Sequence, residues 1–440
     1  MLTPQDNEIL TRIGPGTLMG NLLRRYWQPV LLSSEVAEPD SPPVRVRIMG
    51  EDLVAFRDTN GDVGLFVQAC PHRGASMFFG RNEEAGLRCV YHGWKFDTSG
   101  TCVDMPSEPA ESNFKTKVRI GAYPVVESGG LVWTYMGPRE SMPAFRPVVS
   151  DELPRENWKA LKVKGLCNWV QSLEGNIDAA HTSWLHRRLE FATYQPDETD
   201  TPGYPSLNMT FLIWAYDGAP VLETYETPYG FRYAGLRNTP GGHTHARVTD
   251  FIMPSLTYIP AAPVGGNDCI IVVPIDDTTH WRYHVSTKPS VRMTDGSLQV
   301  LPNSGRPGGE MERKWWPEND YTIDREDQKV NNYSGISGGA IPQDQAVTES
   351  MGGIYDRTME HLGTSDKAII LMRRKLIEAA RALAANGVEP PARDDSMSFN
   401  DFRASEKILA PGEHWWELGT QSDPVMKQLQ PLFSGARAVG

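Results

Sequence analysis

The sequence predicts an α+β chain of two unlike parts, a small antiparallel β domain followed by a larger mixed domain that closes on a long helix. Three observations carry this expectation. Between about 43 and 137, short runs such as VRVRIMG, DLVAFRD, VGLFVQA and GLVWTYM are rich in β-branched and aromatic residues and alternate with Gly, Asp and Asn turns. A proline-rich stretch at 137–154, GPRESMPAFRPVVSDELP, then breaks the pattern. Beyond it LNMTFLIWAY, GFRYAGLR, ARVTDFIM, DCIIVVPI and HWRYHVST read as strands, and DKAIILMRRKLIEAARALAANG reads as a helix.

Taken in order, the expected parts are an N-terminal helical segment (1–40), the β domain (41–150) and the mixed domain (151–440). Residues 16–29, GTLMGNLLRRYWQP, have the pattern of a short amphipathic helix. TNGDVG at 59–64 contains an Asn-Gly hairpin signal. A helix is expected near 168–186, and a long Gly-, Pro- and Asn-rich loop over 303–340. The late helix has Ser365 placed to cap its start and Gly387 to end it.

The 440 residues leave room for a core in each domain. The net charge of -12 is spread along the chain and argues against nucleic acid or an anionic membrane as the main partner. An anionic ligand would therefore need a local cluster of cations. Five cysteines form a sparse, odd set unlike a disulfide framework. The N-terminus lacks a basic-then-apolar leader, and no apolar run reaches the ~20 residues of a membrane helix, so a reducing cytoplasm is expected.

Two motifs carry chemistry. The first is Cys70-x-His72, sixteen residues, then Cys89-x-x-His92. Two thiolates and two imidazoles so close together suit a soft metal. Zinc sites usually pair Cys with Cys and His with His, whereas each pair here is mixed. In a Rieske [2Fe-2S] centre two cysteines bind one iron and two histidines the other, and that order fits. Gly74 and Gly93 follow the candidate ligands, where turning backbone can approach a cluster. The second motif, EGNIDAAHTSWLH, runs from Glu174 to His186. Asp178 and His181 share a helix face, but His181 and His186 lie about 140° apart on a regular helix. If both bind one metal, the helix must end or bulge between them.

CPHRG…CVYHGW resembles the Rieske motif of the aromatic-ring-hydroxylating oxygenases, and the resemblance extends over most of the chain. TPQDNEILTRIGPGT, YHGWKFD, DMPSEP and QDQAVTESMGGIYDR are most similar to the phthalate 4,5-dioxygenase type. It implies a Rieske domain followed by a helix-grip (START-like) catalytic domain, in trimers or stacked trimers packed head to tail. Carried over, Cys70 and Cys89 bind one cluster iron and His72 and His92 the other, with Trp94 beside them. His181 and His186 bind a mononuclear Fe(II). Asp178 bridges towards the cluster of a neighbouring subunit. The third iron ligand is a carboxylate at a downstream helix start, where AIPQDQAVTES offers Asp344; Glu349 and Asp356 are the competing acids.

No dinucleotide-binding glycine fingerprint is present, so NADH and flavin chemistry is expected on a separate reductase. The expected activity is insertion of O2 into an aromatic carboxylate such as phthalate or an isomer, giving a cis-dihydrodiol. The alternative is an O-demethylating Rieske monooxygenase acting on a substituted benzoate. Among Arg232, Arg237 and Arg247, with His243 and His245 nearby, Arg247 and Arg237 are the expected carboxylate contacts.

Overall fold

A computed structural model describes residues 2–109, 111–149, 153–190, 202–261, 266–288, 293, 314–393 and 404–420. The chain opens with two short helices, α1 (Pro4–Thr11) and α2 (Leu18–Leu23), capped by Thr3 and Thr17. The helix expected over 16–29 is thus shorter, because Trp27 already begins strand β1 (Trp27–Leu32). Three small antiparallel sheets follow. One orders β2 (Val44–Ile48), β3 (Glu51–Arg57) and β4 (Val63–Val67). In β2, Val44, Val46 and Ile48 are buried while Arg45 and Arg47 face out, the period of two expected of a half-buried strand. β3 turns into β4 through Asn60-Gly61, with Gly61 at φ +89°. The four two- to three-residue strands β5 (Arg81–Asn82), β6 (Leu87–Arg88), β7 (Lys95–Phe96) and β8 (Cys102–Asp104) form a second sheet. The third joins β1 to β10 (Leu131–Tyr135) and β9 (Val125–Ser128).

The second part is built on an eight-stranded antiparallel sheet. Its order is β11 (Trp158–Gly165), β17 (His280–Thr287), β16 (Gly266–Pro274), β15 (Leu256–Ala261), β14 (Thr244–Ile252), β13 (Gly230–Asn238) and β12 (Val221–Thr227). The eighth strand, β18 (Ser405–Ile408), returns from near the C-terminus to pair with β14. Helices α3 (Trp169–Ile177), α4 (Leu207–Tyr216), α5 (Asp327–Val330), α6 (Ala340–Ser350) and α7 (Lys367–Asn386) complete it. α1 and α2 pack on α7, and Lys162 of β11 reaches Glu35 at 2.8 Å, tying the two parts together.

Several local expectations change. LNMTFLIWAY is the helix α4, not a strand: Ser206 accepts from the Met209 N–H and starts it, and a run so evenly apolar carries no period to decide the matter. The helix expected over 168–186 stops at Ile177. The cap foreseen at Ser365 lies inside a 3-10 turn (Thr364–Asp366), and α7 begins only at Lys367; Gly387 ends it at φ +63° as expected. Of the loop expected over 303–340, residues 303–313 lie outside the described residues; the rest holds a 3-10 segment (Pro317–Thr322) and α5. Among the described residues no helix is long and apolar enough to cross a membrane.

Candidate metal centres

The two Cys–His loops fold as near copies. In the first, Gly74 N–H bonds Cys70 O and Cys70 N–H bonds Ala75 O; in the second, Gly93 N–H bonds Cys89 O and Cys89 N–H bonds Trp94 O. Gly74 and Gly93 sit at φ +76° and +81°, the left-handed region where a side chain is strained, and a Cβ on Gly93 would also meet Pro106 at 2.6 Å. The loops bring the His72 and His92 rings to 4.4 Å, centroid to centroid. Cys70 and Cys89 are buried and neither forms a disulfide. Trp94 stacks on His72 at 4.2 Å and donates its indole N–H to Ser107. His72 Nδ1 is buried with no hydrogen-bond partner, as fits a nitrogen meant for a metal. Both imidazoles are half-buried and are flanked by exposed Val90 and Tyr91, so the histidine edge is the accessible edge of the site.

The second group forms where α3 ends. Asp178 caps the helix: its Oδ1 accepts from the N–H groups of Ala180 (2.6 Å) and His181 (3.3 Å), starting a 3-10 turn over His181–Ser183. That break removes the 140° divergence. His181 Nε2, His186 Nε2 and Asp344 Oδ1 converge, separated by 3.2 Å between the imidazoles and by 3.7 and 3.2 Å from the carboxylate. A triangle with those sides has a centre about 2 Å from every corner, the length of a bond from a first-row metal to imidazole nitrogen or carboxylate oxygen (~2.0–2.2 Å). Burial alone would raise Asp344, but His186, His181 and Arg282 outweigh it and bring the carboxyl to about 2. Asp344 sits in the second turn of α6, not at its first residue. The competing acids are spent elsewhere: Glu349 accepts from Leu166 N–H and Tyr321 O–H, and Asp356 from Thr358.

A surrounding layer, not foreseen in the sequence, orients these groups. Gln343 Oε1 lies 2.6 Å from His186 Nδ1, and its amide nitrogen is anchored on Ile336 O and Asn332 Oδ1. Arg282 Nη1 approaches Asp344 Oδ2 at 3.4 Å. Glu174, one turn before Asp178, accepts from both Arg357 and Arg373, and Arg373 also holds Glu360, so α3 is clamped to α7. A cavity of about 290 Å3 opens beside the triad and is bounded by Asp178, His181, Arg282 and Asp344 together with apolar Val163 and Val347.

Two family models match the chain, the Rieske [2Fe-2S] domain over residues 26–124 and a LigXa C-terminal domain like model over 134–431. The 3-chlorobenzoate-3,4-dioxygenase oxygenase subunit of Comamonas testosteroni is 39% identical over 434 residues, covering 95% of this chain and 97% of that protein. The chain belongs to the Rieske aromatic-ring-hydroxylating oxygenases. The phthalate 4,5-dioxygenase oxygenase subunit of Pseudomonas putida is 40% identical over 409 residues, 88% of each chain. The solved structure of NdmA from Pseudomonas putida CBB5, as the QL mutant with theobromine, shares the fold at TM-score 0.57 and 17% identity, covering 86% of this chain and 99% of that one.

This oxygenase therefore carries a Rieske [2Fe-2S] cluster and a mononuclear iron site, and works with a separate electron-transfer component. Both arginines expected at a substrate carboxylate are engaged within the chain. Arg237, 1% exposed, donates to Ala179 O, Thr182 Oγ1, Ser183 Oγ and Asp217 O, so it pins the turn that carries His181. Arg247 donates to Glu406 Oε2 at 2.6 Å and to Pro260 O. Arg232 pairs with Asp250. The sequence held no signal for the Glu406 contact, because 159 residues separate the partners and only the return of β18 to β14 joins them.

Proposed function

We propose that this Rieske oxygenase inserts O2 into the ring of an aromatic carboxylic acid to give a cis-dihydrodiol, with electrons from NADH passed through a separate reductase. The convergence of His181, His186 and Asp344 on a single point is the observation that carries the reading. Two imidazoles and a carboxylate on one side of a metal leave positions open, the donor set of non-haem Fe(II) oxygenases. When bound, the mononuclear iron supplies the centre at which O2 is reduced, with one electron at a time arriving through the cluster. In balance, the aromatic ring, O2, NADH and a proton give dihydrodiol and NAD+.

In this reading Cys70 and Cys89 hold one cluster iron, and His72 and His92 the other. Gln343 keeps the proton on His186 Nδ1, so that Nε2 offers its lone pair to the metal. Arg282 occupies one oxygen of Asp344 and leaves Oδ1 as the ligand atom. Asp178 orients the His181 turn and accepts a hydrogen bond from the cluster histidine of a neighbouring subunit in a head-to-tail trimer. Val163 and Val347 give the cavity beside the triad an apolar part.

The testing experiment is NADH-driven turnover with a matched reductase, a panel of benzene carboxylates and 18O2. A product that gains both labelled atoms supports dihydroxylation. A methoxybenzoate that loses its methyl as formaldehyde, with no acid of the panel gaining two atoms, would replace this reading with O-demethylation.

A further inference from the structure

The turn that carries His181 is mounted on strand β13. Gly235 and Arg237, two residues apart, share one face of that strand, and both meet the turn. A Cβ on Gly235 would lie 2.9 Å from the Ala179 methyl carbon, closer than two such atoms pack, so a glycine is what lets the strand come this near. Arg237 is 1% exposed. Its Nη2 donates to Ala179 O at 2.6 Å and to Thr182 Oγ1 and Ser183 Oγ at 3.1 Å, and its Nε donates to Asp217 O at 3.1 Å. Asp217 caps the end of α4 and is held in turn by Asn238, the next residue on β13, whose backbone N–H meets its Oδ2 at 2.8 Å. Burial and Arg247 pull the Arg237 guanidinium down to about 10, against Glu406 and Asp217, so it stays charged at neutral pH and its hydrogen bonds are charge-assisted.

One peptide unit joins this arginine to Asp178. The Ala179–Ala180 amide accepts from Arg237 at its oxygen, at 2.6 Å, and donates from its nitrogen to Asp178 Oδ1, also at 2.6 Å. A cation and an anion thus hold opposite ends of one planar group, which fixes its orientation. Asp178 Oδ1 also takes the His181 N–H at 3.3 Å, and Thr182 Oγ1 donates to Ala179 O at 2.9 Å, so the 3-10 turn beginning at His181 inherits that orientation. Rotating the peptide would break the bonds at both of its ends and swing Asp178 and His181, which flank it on either side.

We propose that Arg237 is a positioning residue for the mononuclear iron and for electron arrival, acting through the Ala179–Ala180 peptide, with Gly235 as the clearance that lets it act. None of its described bonds reaches a metal ligand's side chain; it aims Asp178 and His181 through the backbone between them. The inference rests on the reading of His181 as an iron ligand and Asp178 as the bridge, and extends that site to the strand on which it is mounted.

The test uses the intact, iron-loaded enzyme with nitric oxide as the probe. With the cluster oxidised, and so silent in EPR, the nitric oxide signal comes from the lone Fe(II) and reports the geometry of its ligands. Gly235→Ala, which drives a methyl into Ala179, should change that signal and weaken iron retention by about tenfold, with the cluster's visible spectrum unchanged. Combining Gly235→Ala with Ala179→Gly removes the opposing methyl and should restore both. Arg237→Lys keeps the charge but loses the planar fork, and should change the signal and slow cluster oxidation by O2 and substrate by about tenfold or more. A wild-type signal with wild-type iron retention in folded Gly235→Ala or Arg237→Lys overturns the proposal, even if their denaturation midpoints fall, because a merely structural role lowers stability without moving the signal. A folded double variant that still behaves like Gly235→Ala overturns the part assigned to clearance. Should Gly235→Ala not fold, Arg237→Lys decides alone. If His181→Ala keeps the wild-type nitric oxide signal, it is the reading of His181 as an iron ligand that fails.

Discussion

Gln343 Oε1 stands 2.6 Å from His186 Nδ1, while the neighbouring residue, Asp344, sends its own oxygen to the same imidazole's other nitrogen at 3.2 Å. One turn of α6 thus supplies both a ligand atom and the acceptor that sets the tautomer of the next ligand. The amide cannot swing away, because Ile336 and Asn332 hold its nitrogen. Gln343→Leu should leave the cluster spectrum unchanged and weaken retention of the mononuclear iron by roughly 10–100-fold. Iron content after dialysis against a graded chelator measures this. Retention equal to the wild type would remove Gln343 from the metal's support.

The two centres should be separable by single substitutions. His72 and His92 sit in one loop pair, while His181 and His186 flank a helix end in the other part of the chain. His72→Ala should abolish the visible cluster spectrum and keep the lone iron. His181→Ala should do the reverse, keeping the spectrum and ending turnover. Iron content of about three per chain should fall to about one and about two, respectively. Iron analysis with acid-labile sulfide decides between these outcomes, and a His181→Ala protein that still turns over excludes His181 from the iron.

What was legible in the sequence divides by distance along the chain. Cys70, His72, Cys89 and His92 could be read because their ligand types and spacing are local, and the residues at 174–186 because a helix must break to join His181 with His186. Asp344 needed the family resemblance, since nothing local links it to a site more than 150 residues upstream. Gln343, Arg282 and Glu406 were illegible for the same reason: each acts through a partner brought by sheet register or helix docking. The bonds of Arg237 to the backbone oxygens of Ala179 and Asp217 were illegible too, because a guanidinium on a strand looks the same whatever it meets. The α4 segment was misread because uniform apolarity hides the helical period, leaving only Ser206 to signal it.

Glu174 should matter to stability before it matters to chemistry. Its carboxylate is held by Arg357, which is wholly buried, and by Arg373, so neutralising it takes the carboxylate partner from Arg357 and leaves Arg373 with Glu360 alone. Glu174→Gln should lower stability by about 3–5 kcal/mol at neutral pH. Burial pushes this carboxyl up, but the two arginines outweigh burial and hold it below its ordinary value. The stabilisation is then fully present above the unfolded value of ~4.3 and is lost as pH falls below it, so the gap between wild type and Glu174→Gln should close in that acid range. Denaturation midpoints of the two proteins across pH check both sign and size. A gap that stayed constant with pH would mean that lost packing, not charge, causes the effect.

Asp178 has a local task and a proposed distant one, and they can be told apart. Locally Oδ1 accepts from two backbone N–H groups and sets the turn that aims His181, while Oδ2 lies 3.7 Å from His181 Nδ1. Asparagine retains an oxygen for the backbone bonds but has no charge with which to hold an imidazole across a subunit boundary. Asp178→Asn should therefore bind both metals normally and melt like the wild type. Oxidation of its reduced cluster by O2 and substrate should slow on the order of tenfold to a hundredfold, as expected when a donor–acceptor contact is misplaced. Stopped-flow absorbance at the cluster bands, run beside iron analysis, separates the cases. Slow oxidation with full iron supports the bridge between subunits, whereas slow oxidation matched by lost iron would reduce Asp178 to the cap of α3. Oxidation at the wild-type rate would remove it from the electron path altogether.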